Sequence, residues 1–195
     1  NGGEIIAGAN NGYGIRVYSS NLNLNGGKIE AFGSSSYGVI ADHNNTTITL
    51  NGCEVTSGGV GIYLGGASSG TKILNVNNGT ITGNTYGIYQ NYSNTTVNMG
   101  MKDDEVSISN PLVSGGLYGI YRASGTANYN TGRLRGHTNG YTNTFNKITD
   151  KYEIFELKEK VKDVEKILTY STTNFSSDAI SNYAKSGNGF ARITY

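Results

Sequence analysis

One cysteine, one proline and no tryptophan occur among the 195 residues, and only 15% of the residues are charged. Each shortage excludes something. A lone Cys53 excludes an intramolecular disulfide and a multi-cysteine metal site. A formal net charge of +1 leaves no basic field of the kind that holds nucleic acid. Charge this sparse is also unlike a disordered chain, which favours high net charge. No apolar run approaches the ~18 residues of a membrane span, so membrane insertion is not expected. With neither an initiator methionine nor a signal peptide, the chain is expected to be a mature product or a piece of a longer protein. Its length suits one domain, or one domain with an appendage.

What the chain has in abundance is glycine, 29 residues, and tyrosine, 15 residues, and both recur with a period. One marker is an aromatic or aliphatic residue, then Gly, then a β-branched residue. It occurs as Tyr13-Gly14-Ile15, Tyr37-Gly38-Val39, Val60-Gly61-Ile62, Tyr86-Gly87-Ile88 and Tyr118-Gly119-Ile120. A second marker is anchored at Asn1, Asn25, Asn51, Asn77, Gly100 and Asn130. Four residues past the anchor stand Ile5, Ile29, Val55, Ile81 and Leu134. The unit anchored at Gly100 has Asp104 there, and a small insertion is expected to bring in Val106 or Ile108. Three and one residues before the internal anchors stand Leu22/Leu24, Ile48/Leu50, Leu74/Val76, Val97/Met99 and Ala127/Tyr129.

Two markers with one period of about two dozen residues define a repeat array. Each unit holds three short segments of alternating polarity, which is strand behaviour, separated by Gly, Asn and Ser, which suit turns. Three short strands cannot bury a face alone. Stacked units can, each strand pairing with its counterpart one unit along, ~4.8 Å away. The expected fold is therefore all-β, a parallel β-helix (β-solenoid) of about six coils. A β-sandwich would also give short alternating strands but not columns in register. The Asn25/Asn51/Asn77 column suggests an internal amide ladder.

The repeat fades near residue 140, which divides the chain into coils 1–140 and a capping region 141–195. Only seven charged residues lie in 1–100, against 22 beyond. Ile154, Leu157, Val161, Val164 and Leu168 are spaced as a helical stripe, with Asp150 as its cap. A charged helix is expected over 151–170, a charged hairpin being the alternative. Either would cover the edge of the last coil.

The Tyr-Gly-Ile/Val-Tyr phrase and Asn78-Gly79-Thr80-Ile81-Thr82 resemble the repeats of large bacterial adhesin-like surface proteins. Ile148-Thr149-Asp150 with Tyr152-Glu153-Ile154 resembles the closing part of such arrays, and the terminal Gly189-Phe190-Ala191-Arg192-Ile193-Thr194-Tyr195 resembles the end of glycine-rich bacterial surface domains. These proteins share the pectate-lyase-like right-handed parallel β-helix. The resemblance covers roughly residues 1–155 and the tail. It implies a non-catalytic module of a larger multidomain protein, secreted or attached to a bacterial cell wall. Such a module binds a polysaccharide or host surface ligand, or serves as a stalk spacer.

Polysaccharide lyases and glycosidases of that fold are the alternative. They need two or more carboxylates at a defined separation, or several around calcium with a base. Before residue 100 the acids are only Glu4, Glu30, Asp42 and Glu54. Glu4 and Glu54 share an outward column with Lys28 and Arg133, a mixed-sign solvated face. Lys102-Asp103-Asp104-Glu105 is the one acidic cluster in the coils and reads as a solvated bulge. No catalytic residue, metal site or cofactor is assigned.

For ligand binding the candidates are Tyr63, Tyr89 and Tyr121. They follow the marker Ile and would stack outward as an aromatic stripe suited to sugar rings. Arg133, Arg135 and His137 alternate along one segment, a candidate grip for acidic glycans. The marker tyrosines Tyr13, Tyr37, Tyr86 and Tyr118 are expected as half-buried packing. Cys53, in a column of Gly3, Gly27, Gly79 and Gly132, is expected to be buried and structural.

Overall fold

The computed structural model describes residues 2–66, 70–101 and 111–137, and beyond them the strands Asn139–Tyr141, Asn146–Lys147, Tyr152–Ile154 and Thr169–Ser171. The fold is a parallel β-solenoid, and there is no helix among the described residues. The marker segments form one six-stranded parallel sheet. Its strands, Tyr13–Val17, Tyr37–Ala41, Val60–Leu64, Tyr86–Gln90, Tyr118–Arg122 and Asn139–Tyr141, stack in sequence order. The remaining segments wrap the other sides as a ten-stranded sheet. Two of its strands, Thr46–Ser57 and Lys72–Gly83, run without a break from one side to the next. Their mutual register shifts at Asn51, where the chain turns the corner. About four windings, from Lys28 to Tyr129, have a neighbour both above and below.

Like residues lie over like. Ile15, Val39, Ile62, Ile88 and Ile120 are successive partners in the six-stranded sheet. Facing them is the file Ile5, Ile29, Val55, Ile81, Val113, Leu134. Ile29, Val55, Ile81 and Val113 are at most 2% exposed. The paired columns Leu24/Leu50/Val76/Met99/Tyr129 and Leu22/Ile48/Leu74/Val97/Ala127 complete the core. Burial is the driving force. A fully buried aliphatic side chain contributes roughly 1.5–3 kcal/mol over an exposed one, and each rung supplies several.

The file corrects one expectation. The place after Gly100 is taken by Val113, not by Val106 or Ile108, because Leu112–Gly115 is the strand that pairs with both Thr80–Gly83 and Arg133–Gly136. The excursion that the anchor count missed is longer than a small insertion. Lys102–Glu105 lie outside the described residues.

The marker glycine has a steric reason. A Cβ on Gly38 would lie 2.5 Å from Val55 Cγ1, on Gly61 2.6 Å from Ile81 Cγ2, and on Gly87 2.7 Å from Val113 Cγ1. It would also meet the carbonyl oxygen of the next rung's glycine at 2.5–2.7 Å. The sheets approach so closely here that no side chain fits, and the opposing branched residue fills the space.

At the C-terminal end, Tyr152–Ile154 pairs antiparallel with Thr169–Ser171. Ile154, assigned above to a helical stripe, is therefore in a strand. The ends of the charged segment pair as the hairpin reading requires, and the helix expected from 151 is corrected there. Residues 155–168, which carry the rest of the stripe, lie outside the described residues, as do Asp150 and the closing stretch 189–195.

Candidate functional site

Tyr63, Tyr89 and Tyr121 come together as the spacing predicts. They are successive partners on the outer side of the six-stranded sheet. Ring centroids are 5.3 Å apart between Tyr63 and Tyr89, and 5.2 Å between Tyr89 and Tyr121. Each pair meets at 65°, an edge-to-face contact that aromatic quadrupoles favour.

The marker tyrosines Tyr37, Tyr86 and Tyr118 are half-buried, as expected, and Tyr13 is exposed; all four pack against the stripe or one another. Tyr86 lies 5.4 Å from Tyr89 and stacks on Tyr121 at 4.7 Å and 16°. Tyr118 lies 5.5 Å from Tyr121, and Tyr37 lies 5.4 Å from Tyr63. Tyr13 extends the group through Tyr37 at 5.8 Å. Residues three apart on a regular strand would face opposite ways. Here the buried glycine between them interrupts the alternation, so both tyrosines of a rung share the outer face. The result is one continuous surface of seven tyrosines, two columns wide. Apart from Tyr13, 42% exposed, its members are half-buried. Burial, reinforced by neighbouring tyrosines, pushes the phenols of Tyr37, Tyr86 and Tyr89 above the ordinary range, so they stay protonated donors.

Charge is nearly absent from this face. Among its described strands the charged residues are Arg16 and Arg122. Arg122 Nη1 donates to the Gly125 carbonyl at 2.8 Å. Arg16 pairs with Asp42 in the fork geometry, Nη2 to Oδ2 at 2.7 Å and Nε to Oδ1 at 3.2 Å. Its guanidinium sits 4.9 Å from the Tyr18 ring centroid and 5.7 Å from that of Tyr13. His43 Nδ1 lies 2.7 Å from Asp42 Oδ1, and its ring lies 3.8 Å from Tyr18. Burial raises the Asp42 carboxyl, but hydrogen bonds to Arg16 and His43 outweigh it and hold it below its usual range. Arg16 continues the Tyr63 column through Ile40. This polar cluster therefore closes one end of the aromatic surface. Sequence reasoning missed it because Asp42 and His43 lie in a turn with no repeat signal.

Arg133 and Arg135 lie on the other sheet, in outward columns with Leu112 and Ser114. The Glu4, Lys28, Glu54 column ends at Arg133 as expected, through Thr80 and Leu112. Both arginines are half-buried and His137 is exposed just past the strand. The structure does not bring this group together with the tyrosines.

Asparagines form two ladders. Asn77 Nδ2 donates to Asn51 Oδ1, and Asn51 Nδ2 to Asn25 Oδ1, each at 2.9 Å. Asn25 and Asn51 are exposed, so this ladder runs outside the coil at the corner, not inside as expected. A second ladder was not foreseen. Asn128 donates to Asn98 at 2.7 Å, Asn98 to Asn75 at 2.8 Å, and Asn75 to Thr49 Oγ1 at 3.5 Å.

Cys53 is 1% exposed and pairs in register with Gly79. Burial pushes its thiol up, the reverse of an activated nucleophile. Lys72 is fully buried, its Nζ 3.4 Å from the Gly70 carbonyl and 4.7 Å from the Tyr92 ring centroid, and burial lowers its pKa. It props the corner between Thr46 and Thr95. Among the described residues there is no group of three or more His, Cys, Asp or Glu side chains that could hold a metal ion.

No family model, no curated protein and no solved structure matches the chain.

Proposed function

We propose that the chain is a non-catalytic carbohydrate-binding module. The β-solenoid acts as a rigid rod that presents its tyrosine face to a glycan. One observation carries the reading: seven tyrosines, drawn from five windings, lie ring against ring on one side of the rod. Tyrosine offers an apolar ring and a hydroxyl with few rotamers to immobilise, which suits sugar recognition. Among the described residues the carboxylate beside that face is Asp42, which is bound by Arg16 and His43, an arrangement that does not favour acid–base hydrolysis. The repeat phrases, with their resemblance to adhesin-like arrays, support a place within a larger secreted or cell-surface bacterial protein.

A glycan array probed with wild type, Tyr89→Ala and Arg133→Ala tests the reading. The expected result is retention of specific glycans by wild type and Arg133→Ala, with at least tenfold weaker retention by Tyr89→Ala. Binding to no glycan would leave only a spacer role. Turnover of any retained polymer would contradict the non-catalytic reading.

A further inference from the structure

Resting on the carbohydrate-binding reading, we infer that the ligand is a neutral, equatorially linked glycan that lies along the solenoid axis, one sugar ring to each rung. Down the column Tyr63, Tyr89, Tyr121 the ring centroids are 5.3 and 5.2 Å apart, a little over the ~4.8 Å rung spacing because the rings tilt. A pyranose chain joined through equatorial bonds at opposite ends of each ring is straight, and advances by about this distance per sugar. A chain joined through an axial bond coils away from a straight track. Only the first kind places successive sugars over successive tyrosines.

Width and charge narrow the ligand further. The rungs of Tyr86 and Tyr118 each offer two rings, Tyr86 with Tyr89 and Tyr118 with Tyr121. Tyr86 stacks on Tyr121 across the two columns, which makes this end of the track a continuous aromatic surface. The successive rings of the Tyr63 column meet edge to face and are half-buried, so the surface is ribbed. A sugar there meets hydrogen-bond donors at its rim and carbon beneath its ring. Among the described residues the cations beside the track are already engaged, so none is left to attract a uronate or sulfate: Arg16 is held by Asp42 and Arg122 donates to Gly125. Beyond Tyr63 the column continues as Ile40 and then Arg16, so the track is finite, about five rungs from Tyr121 to Arg16.

Calorimetric titration with chain-length series tests this: neutral β-1,4-linked oligosaccharides against α-1,4-linked ones of equal length. The expected result is affinity for the β-linked series that rises roughly 2- to 10-fold per added sugar. It levels off at about five sugars, and the α-linked series stays weak at every length. Tyr63→Leu, Tyr89→Leu and Tyr121→Leu keep apolar bulk on the sheet and are checked by thermal melting. Each is expected to remove about one sugar's increment without abolishing binding. Length-independent affinity, or equal affinity for the α-linked series, would overturn the axial register while leaving carbohydrate binding intact. Stronger binding of a carboxylated series would overturn the neutral assignment. Binding of no oligosaccharide would overturn both this inference and the reading beneath it.

Discussion

A glycine and a tyrosine set the character of each rung. The marker glycine is required for space, not for its backbone angles, since it is absent from the positive-φ positions. Gly61→Ala would put a methyl 2.5 Å from the Gly87 carbonyl oxygen and 2.6 Å from Ile81 Cγ2. Backbone cannot yield as a side chain can. The expected cost is about 1–3 kcal/mol in denaturant unfolding. Gly8→Ala, where the methyl meets nothing within 4 Å, should stay within about 0.5 kcal/mol of wild type. Tyr129 supplies a second residue-scale test. It is 4% exposed, its hydroxyl donates to the Gly132 carbonyl at 2.9 Å, and burial pushes its pKa up to about 12. The unfolded phenol ionises near 10, so between these values the folded chain binds more protons than the unfolded one. Stability present below pH 10 is then lost as pH rises toward 12, by roughly 2–3 kcal/mol from this residue. A melting series from pH 8 to 12 should show the fall, and Tyr129→Phe should make it shallower, leaving the share of Tyr37, Tyr86 and Tyr89.

At the scale of the element, register decides everything, and register was the most legible property of the sequence. The columns Ile29/Val55/Ile81 and Ile62/Ile88/Ile120 were read directly from spacing, because a side chain in a stacked array has no choice but to meet its counterpart. The same logic failed where the chain departs from regularity. Val113 was not placed in its file because the segment after Gly100 has no fixed length to count. That Tyr86 joins Tyr89 and Tyr121 on the outer face was not foreseen, because the glycine and isoleucine between Tyr86 and Tyr89 both turn inward and break the alternation. The outer asparagines were misjudged for another reason: a ladder of amides needs only a neighbour 4.8 Å away, and that condition holds outside the coil as well as inside. The half-buried ladder contributes to rung cohesion. Asn98→Ala removes one hydrogen bond from each of Asn75 and Asn128 and should cost about 1–2 kcal/mol. Asn51→Ala, where the neighbouring amides reach water, should cost less than about 1 kcal/mol. Chemical denaturation of the two variants side by side checks the order.

The whole molecule behaves as a one-dimensional stack, each winding buried by the two beside it. This explains how a chain with 36% hydrophobic residues maintains a core. Four apolar files, repeated winding by winding, are sealed by contact along the axis, and the outer faces are left to tyrosine, threonine and asparagine. It also explains why a ligand surface can be so extended, since any feature repeated in sequence becomes a stripe in space. The candidate stripe of Tyr63, Tyr89 and Tyr121 was legible for that reason, whereas the Arg16, Asp42, His43 cluster at its end occurs once and leaves no period to detect. The stacking itself is open to direct measurement by methyl–methyl nuclear Overhauser effects in a sample labelled at isoleucine and valine. Cross-peaks are expected between Val55 and Ile81, Ile62 and Ile88, Ile88 and Ile120, and, most tellingly, Ile81 and Val113. If Ile81 instead showed its cross-peaks to Val106 or Ile108, or if none of these pairs were in contact, the windings would not lie over one another as described.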